Sequence, residues 1–521
     1  MKRLEVITKE VTPLNKDRKA NFQERIKERQ SKDLVIAFCG PIASGVSSVV
    51  KHVAAILETF DYESEIIKLS DFIKENIPKT TIKISDEELK KDTAERIIKL
   101  QDAGNELRKE YSFDILSQFA IKEIAFNRQQ RIRRENNTLE EEIIRATPHR
   151  VAYLIDSIKH PSEINLLRIV YGNMFYLFGV LCAEPIRVKR LIEKGFSADG
   201  AQKVIERDKK QEEGHGQQLV KALQYADFFA INNHQNIEGL KNQIKRFFDL
   251  IFGTKVVTPT HDEFAMYIAQ SAALRSACLS RQIGAAILNK EGEIVSTGCN
   301  DVPCYEGGLY TPEHGDKDSR CAYLQGSKCF NDDHKSKLKD KIDNILKKDS
   351  TKIEEIDSIV KNIYEDTWLK DVLEFSRAIH AEMAAIVSAA RNGHTVKGCT
   401  LYTLTFPCHN CARHIVASGI KRVVYIEPYE KSRALELHGD SIELDPPIAS
   451  EEIGKVIFLH FEGIAPRQYL NLFRITKERK KEGKLVLLKP QEALPVVPQY
   501  LDTFIDLEAQ VAKHLESLKL I

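Results

Sequence analysis

Residues 380–382, His-Ala-Glu, read together with residues 407–411, Pro-Cys-His-Asn-Cys, decide the fold of the second half of this 521-residue chain. Histidine and cysteine side chains bind Zn²⁺, and a site with three protein ligands leaves the fourth tetrahedral position open for water. We therefore expect His380, Cys408 and Cys411 to hold one catalytic Zn²⁺.

Local sequence around both stretches predicts how these ligands are presented. Pro407 suits the first position of a helix, where its missing N–H has no partner, and the two cysteines then share one face of the first turn. His380 is expected to begin a second helix. Residues 399–406 are typical of a strand that leads into the cysteine turn.

The combined pattern H-x-E…P-C-x-x-C is typical of zinc nucleobase deaminases. In that chemistry Glu382 is the acid–base residue, because a positioned carboxylate carries protons to and from the metal-bound water. The alternative is a buried histidine beside two inert cysteines. The presence of both halves of the pattern, each in its strand–helix context, favours the metal site.

Composition limits the remaining possibilities. The formal net charge is +1 with 29% charged residues, so nothing in the overall charge attracts nucleic acid. Ten cysteines spread over this length are too few for a disulfide scaffold, and a reducing cytoplasm fits them best. The amino terminus lacks a secretory signal, and the most apolar window, residues 34–57, is interrupted by proline and glycine, so we expect no membrane span.

The first half of the chain begins with a polar arm over residues 1–32, which is followed by an apolar strand and a glycine-containing loop. This strand–loop–helix arrangement resembles a P-loop, whose amides cradle phosphate at a helix amino terminus. One departure is serious, because Val46 stands where the motif G-x-x-x-x-G-K-[ST] requires lysine. We therefore expect nucleotide binding without efficient phosphoryl transfer. The alternative is a scaffold with a vestigial loop.

The order of elements over residues 33–250 resembles the P-loop nucleotide and dephospho-coenzyme A kinases. A predicted strand ends in Asp156, and basic residues follow later. The resemblance implies a bound magnesium nucleotide, with Asp156 at the magnesium and Arg187 and Arg207 as lid arginines. Its implied nucleotide-binding residues in the loop are Gly40, Ser44, Gly45, Ser47 and Ser48.

The second domain is predicted over residues 258–485. A helix, a hairpin and the two metal-binding helices resemble deoxycytidylate deaminases over roughly 260–300 and 375–430. That resemblance implies that Asn300, in a Gly-x-Asn turn after the second strand, contacts the substrate sugar. The alternative is a turn asparagine in a left-handed conformation.

The segment 301–375 is an insertion relative to a compact deaminase. Residues 304–334 contain ligand types for a second, structural zinc, although their spacing matches no standard finger. Free surface cysteines or a nucleotide-specificity loop are the alternatives. The candidate ligands are Cys304, His314, Cys321, Cys329 and His334. A helical pair is expected at 335–371, and residues 486–521 are predicted to be a tail.

The predicted fold class is therefore α/β, with a P-loop NTPase-like parallel sheet followed by a cytidine-deaminase-like α/β/α domain. This combination resembles the bacterial anti-phage dCTP deaminases. The resemblance implies deamination of dCTP, and of dCMP, in phage defence, with a regulatory nucleotide on the P-loop domain and a homo-oligomeric, cytoplasmic protein. A housekeeping dCMP deaminase and a nucleic-acid-editing cytidine deaminase are the alternatives. Nucleic acid is disfavoured as substrate because no basic, aromatic groove is evident.

Overall fold

The computed structural model describes residues 26–136, 148–210, 218–233, 237–324, 326–348, 353–365, 367, 369, 372, 375–429, 432–446, 454–475, 479–518 and 520. Most of the predicted arm, residues 1–25, lies outside them. The chain forms two compact units. One contains the chain up to Pro259 together with the segment from Glu462 onwards, and the other contains Thr260–Phe461.

The first unit is built on a parallel sheet. Its strands lie in the order β2–β3–β1–β4–β5, and the short strand Gly463–Ile464 adds to β5 in the antiparallel sense. Every residue of β1 is buried, as expected for a strand covered on both faces. The strands are β1 Leu34–Cys39, β2 Glu63–Lys68, β3 Val151–Asp156, β4 Phe175–Leu181 and β5 Phe228–Ile231.

Helices flank this sheet and supply the rest of its core. The glycine-containing loop joins β1 to helix α1, as the sequence predicts. The helices are α1 Val46–Glu58, α2 Leu69–Asn76, α3 Asp86–Lys90, α4 Ala94–Glu110, α5 Ile115–Asn136, α6 Pro161–Tyr171, α7 Glu184–Glu193, α8 Ala198–Lys210, α9 Leu219–Leu223 and α10 Ile237–Phe252.

The C-terminal segment differs from its prediction. The predicted second domain ends at residue 485, whereas the second unit ends at Phe461 and the chain then returns to the first unit. Residues 486–521 are also not a mere tail, since Phe504 and Leu515 are fully buried. Within the first unit, Glu508 forms a buried ion pair with Arg128.

The second unit has a mixed sheet in the order β10–β11–β9–β8–β6–β7. Strand β6 is antiparallel to both neighbours, and the remaining pairs are parallel. Its strands are β6 Gly284–Leu288, β7 Ile294–Cys299, β8 Thr400–Thr405, β9 Arg422–Glu427, β10 Ile442–Leu444 and β11 Val456–His460. The predicted mixed α/β class with parallel-rich sheets is confirmed.

The helices of the second unit include the predicted pair in the insertion and the two helices that carry the metal-binding stretches. They are α11 His261–Ala273, α12 Phe330–Lys348, α13 Ile353–Glu365, α14 Ala381–Arg391, α15 His409–Ala417 and α16 Ala434–His438. Back in the first unit lie α17 Tyr469–Phe473 and α18 Ile505–Ser517. No helix among the described residues is both long and apolar enough to cross a membrane.

A glycine sets the distance between β7 and α14. A Cβ atom on Gly298 would lie 2.3 Å from the carbonyl oxygen of Ala381 and 2.4 Å from the amide nitrogen of Ala385. Real Cβ atoms do not approach backbone atoms so closely, so only glycine allows this packing. The helix that begins at the predicted metal ligand therefore lies directly against the sheet.

Candidate active site

The two metal-binding stretches meet at the amino-terminal ends of two helices. His380 precedes α14 as its N-cap residue, and Cys408 is the N-cap residue of α15. The Cys411 amide N–H donates to the Cys408 sulfur over 3.5 Å. The predicted place of Pro407 is wrong by two positions, because the helix begins at His409 and the proline precedes the cap.

The three predicted ligands form a group that fits Zn²⁺. Nδ1 of His380 lies 3.2 Å from Sγ of Cys408 and 3.4 Å from Sγ of Cys411. Tetrahedral Zn–N and Zn–S bonds of ordinary length place such atoms about 3.5 Å apart. All three ligand atoms lie within 4.8 Å of one another. The donor set and its spacing therefore fit zinc, with one position left for water.

Electrostatics in this group favour a metal ligand role. Hydrogen bonding from the Cys411 thiol lowers the pKa of Cys408 to about 4, assisted by His380 and opposed by burial. The same shared hydrogen bond raises the pKa of Cys411 well above its usual range. Without metal, the pair is best described as one thiolate and one thiol. The hydrogen bond with Cys408 also raises the pKa of His380 to about 9. Zinc binding requires two thiolates and a neutral imidazole, and it therefore releases protons from Cys411 and His380.

Glu382 lies beside this group and points towards it from the first turn of α14. Its side chain is almost wholly buried, and Oε2 is 3.5 Å from Sγ of Cys411. Burial raises the pKa of the Glu382 carboxyl, and the nearby charge of His380 opposes that shift. A buried carboxylate with a raised pKa is a stronger base towards a water proton, which suits a role in acid–base catalysis.

A cavity opens in front of these residues. It is lined by the zinc-site residues His380, Glu382 and Cys408 and by Asn300. The Asn300 side chain accepts a hydrogen bond from the Ile283 amide over 2.7 Å and donates to the Arg281 carbonyl over 2.7 Å. Asn300 is therefore at the cavity, but its amide is already used to hold the loop before β6.

Two arginines on the cavity wall were missed by the sequence reasoning. Arg281 forms an ion pair with Glu427, and Arg377 donates to the Ser319 carbonyl over 3.0 Å. No described carboxylate lies within ion-pair distance of Arg377. Neither arginine stands in a motif, so only their proximity in the fold reveals them.

Comparison with known proteins agrees with this geometry. Residues 259–427 match the cytidine and deoxycytidylate deaminase zinc-binding region. Deoxycytidylate deaminase of Enterobacteria phage T4 is 32% identical over 176 residues, which are 32% of this chain and 78% of that protein. The chain belongs to the deoxycytidylate deaminase family. The phage T2 enzyme is 32% identical over 181 residues, covering 32% of this chain and 80% of that protein. The human enzyme is 26% identical over 164 residues, which are 32% of this chain and 63% of that protein.

The insertion of this deaminase family member does not assemble a second metal cluster from its described residues. Among the described side chains, the only group of three ligand atoms within 4.8 Å is the one at His380. His314 instead caps a turn through the Thr311 amide at 3.0 Å, and His334 packs on Phe375. The predicted cysteines Cys321 and Cys329 line the cavity.

The glycine-containing loop lies in the first unit, outside the region that matches the family. Ala43 and Gly45 have φ values of 60° and 84°, which bend the loop tightly before α1. Ser47 donates a hydrogen bond to Asp156 over 2.7 Å. Ser48, like Ser47, is exposed at the start of the helix. The structure therefore brings Ser47 and Asp156 together.

The predicted lid arginines are placed differently from one another. Arg187 reaches the loop, with Nη1 3.4 Å from the Ile42 carbonyl oxygen. Arg207 instead forms an ion pair with Asp102. Arg190, which was not predicted, donates to the Ala43 carbonyl over 3.0 Å.

Proposed function

We propose that this chain hydrolytically deaminates deoxycytidine nucleotides, dCTP and dCMP, to the uracil nucleotides and ammonia. The observation that carries the proposal is the buried Glu382 beside the His380, Cys408 and Cys411 group, in a chain of the deoxycytidylate deaminase family. The role in depleting deoxycytidine nucleotides during phage infection rests on the resemblance described above.

The chemistry follows from the positions of these side chains. Zn²⁺ held by the three ligands would lower the pKa of a bound water and supply hydroxide near neutral pH. Glu382 accepts the proton of the attacking water and delivers it to N3 of the cytosine ring. Glu382 then takes the remaining proton from the new C4 hydroxyl and passes it to the amino group, so that the C4–N4 bond breaks, the C4 carbonyl forms and ammonia leaves. Burial raises the pKa of the Glu382 carboxyl, which makes the carboxylate a stronger base towards the attacking water.

The arginines on the cavity wall support a phosphorylated substrate. Arg377 lies 5.2 Å from the Phe330 ring on the cavity wall, where a guanidinium is a suitable partner for a phosphate. Arg281 already has Glu427 as a partner. Free cytidine would leave the Arg377 charge unused.

The test is ammonia release from dCTP, dCMP, cytidine and single-stranded DNA by the full chain. We expect turnover of the two nucleotides, and Arg377→Met should raise their KM with little effect on kcat. Arg391→Met, which removes an exposed arginine at the end of α14, is the control. Faster turnover of cytidine or of DNA than of both nucleotides would contradict the proposal.

We further propose that the first unit binds a nucleotide and regulates the deaminase. The parallel strand order, the bent loop and the Ser47–Asp156 hydrogen bond support a phosphate and magnesium site. Val46, in place of the motif lysine, argues against efficient phosphoryl transfer. A unit that binds a nucleotide without consuming it is suited to sensing.

A further inference from the structure

The first unit contains a lysine that no motif identifies, and its ammonium lies on the glycine-containing loop. Lys159 follows β3, and its Nζ donates to the Gly40 carbonyl oxygen over 2.6 Å. The backbone there is fixed against the sheet, because the Ile158 amide donates to the Phe38 carbonyl over 2.8 Å. Lys159 is thus held at the first residue of the loop.

The side chain that replaces the motif lysine lies at the same place. A Cβ atom built on Gly40 would be 3.0 Å from Cγ2 of Val46 and 2.7 Å from Oγ of Ser44. The ammonium of Lys159 and the side chain of Val46 therefore converge on one loop residue, from β3 and from α1. The charge that is missing at position 46 is present at the loop, but it comes from the segment that follows β3.

A buried hydroxyl inside the loop points to a ligand independently. Ser44 is fully buried, and its Oγ has no hydrogen-bond partner among the described residues. A buried polar group without a partner costs free energy, unless a ligand satisfies it.

Several other charged side chains lie around the loop. Asp208 accepts from the Ile42 amide over 2.7 Å and lies 3.8 Å from Nζ of Lys159. Arg187 and Arg190 also contact the loop, and Asp156 bonds Ser47. Three cations therefore reach the loop, together with Asp156, Asp208 and Glu184, which lies 3.7 Å from Arg187. A phosphate bound at the loop would compete with these carboxylates for the cations.

We propose that Lys159 supplies the phosphate-binding cation of this loop in place of the lysine lost at Val46. The ligand class is a nucleoside triphosphate, bound through its phosphates by the loop amides, Ser44 and the Lys159 ammonium. The inference rests on the proposed nucleotide binding by the first unit. It adds the residue that makes that binding strong without the motif lysine.

The experiment is isothermal titration calorimetry of the full chain with magnesium ATP and with magnesium tripolyphosphate, which carries phosphates but no base. Loss of one charge-assisted contact should weaken both ligands by at least about tenfold in Lys159→Met. Lys159→Arg should keep most of the affinity, and Val46→Lys added to Lys159→Met should restore part of it. Lys51→Met, an exposed charge on the same helix as Val46, is the matched control.

The outcomes separate the two proposals. If the unaltered chain binds and Lys159→Met binds equally well, Lys159 has no such role and nucleotide binding stands. If the unaltered chain binds neither probe, nucleotide binding by the first unit fails and the role of Lys159 fails with it. If Lys159→Met loses affinity together with thermal stability, and neither Lys159→Arg nor Val46→Lys restores binding, Lys159 is structural only and the inference is overturned.

Discussion

At the scale of single residues, the site is defined by Glu382 and the three ligand atoms beside it. The sequence predicted these four residues because two short motifs each fix the identity and spacing of the groups. It did not predict that the side-chain amide of Asn300 forms hydrogen bonds with the backbone of residues 281 and 283. Hydrogen bonds between loops depend on the folded path of the chain, which leaves no local pattern.

The first prediction concerns Glu382→Gln. The variant keeps the size of the side chain but cannot accept the water proton, so kcat should fall by roughly 10²–10⁴-fold. Zinc content should stay unchanged, because Glu382 is not a ligand. Metal analysis and ammonia release on the same sample provide the measurement, with Val387→Ala, exposed on the same helix, as control. Turnover close to that of the unaltered chain would remove Glu382 from its role.

Asp262 carries a prediction about pH. Its carboxylate accepts hydrogen bonds from both terminal guanidinium nitrogens of Arg422, at 2.6 and 2.9 Å, and from the Tyr402 hydroxyl at 2.7 Å. Burial raises the pKa of Asp262, but the hydrogen bond and charge of Arg422 outweigh it and the pKa is lowered. The resulting stability is present above the unfolded pKa of about 3.9 and is lost as pH falls through the lower folded value.

Asp262→Asn should therefore lower the free energy of unfolding by about 1 kcal/mol at pH 7, because the pair is partly exposed. The difference from the unaltered chain should shrink below about pH 4. Urea unfolding of both proteins at several pH values measures this difference in the free energy of unfolding. Glu436→Gln, in an exposed pair 4.0 Å from Arg433, serves as control. A difference that grows as pH falls would contradict the assigned ion pair.

At the scale of elements, the sequence located the strand before the glycine-containing loop, the strand that ends in Asp156, the hairpin, the strand before the cysteines and the metal-binding helices. It misplaced Pro407 because proline is favoured at the first helical position, whereas here Cys408 takes the cap and the proline stands before it. The strand–helix distance at Gly298 was also unpredictable, since it depends on a helix more than eighty residues further along the chain.

Gly298→Ala tests that packing. The added methyl group would collide with backbone atoms of α14, so the helix must move away from the sheet. Such overpacking typically costs about 1–3 kcal/mol. Because His380 precedes this helix, zinc affinity and kcat should both fall. Thr297→Ala, one position along the strand with its side chain on the other face, is the control. Normal zinc affinity in a stable Gly298→Ala protein would show that the helix position does not set the site.

At the scale of the whole molecule, the chain leaves its first unit, forms the second and returns. Sequence reasoning placed the second boundary at residue 485, beyond the observed Phe461. The return is made by a two-residue strand and by the helix that pairs Glu508 with Arg128. Neither carries a local signature, because a two-residue strand has no periodicity and an ion pair across 380 residues is invisible in sequence.

We predict that nucleotide binding by the first unit is coupled to deamination by the second. If the first unit regulates the second, a bound nucleotide and the deaminase substrate must alter each other's affinity by the same factor. Magnesium ATP should then change the KM or kcat for dCTP in the full chain. Ser47→Ala and Asp156→Asn should abolish that change and leave the basal rate intact, while Thr59→Ala should alter neither. Identical kinetics with and without ATP, in all four proteins, would contradict regulation by this nucleotide.

The central claim is that the chain replaces the exocyclic amine of a deoxycytidine nucleotide with oxygen from water, using Glu382 and the bound zinc. Mass spectrometry of the product formed from dCTP and from dCMP in H₂¹⁸O tests it most directly. The account predicts a uracil nucleotide carrying one ¹⁸O with the zinc-loaded chain, and almost none with Glu382→Gln. Absence of the uracil nucleotide, or a product without ¹⁸O, would contradict it.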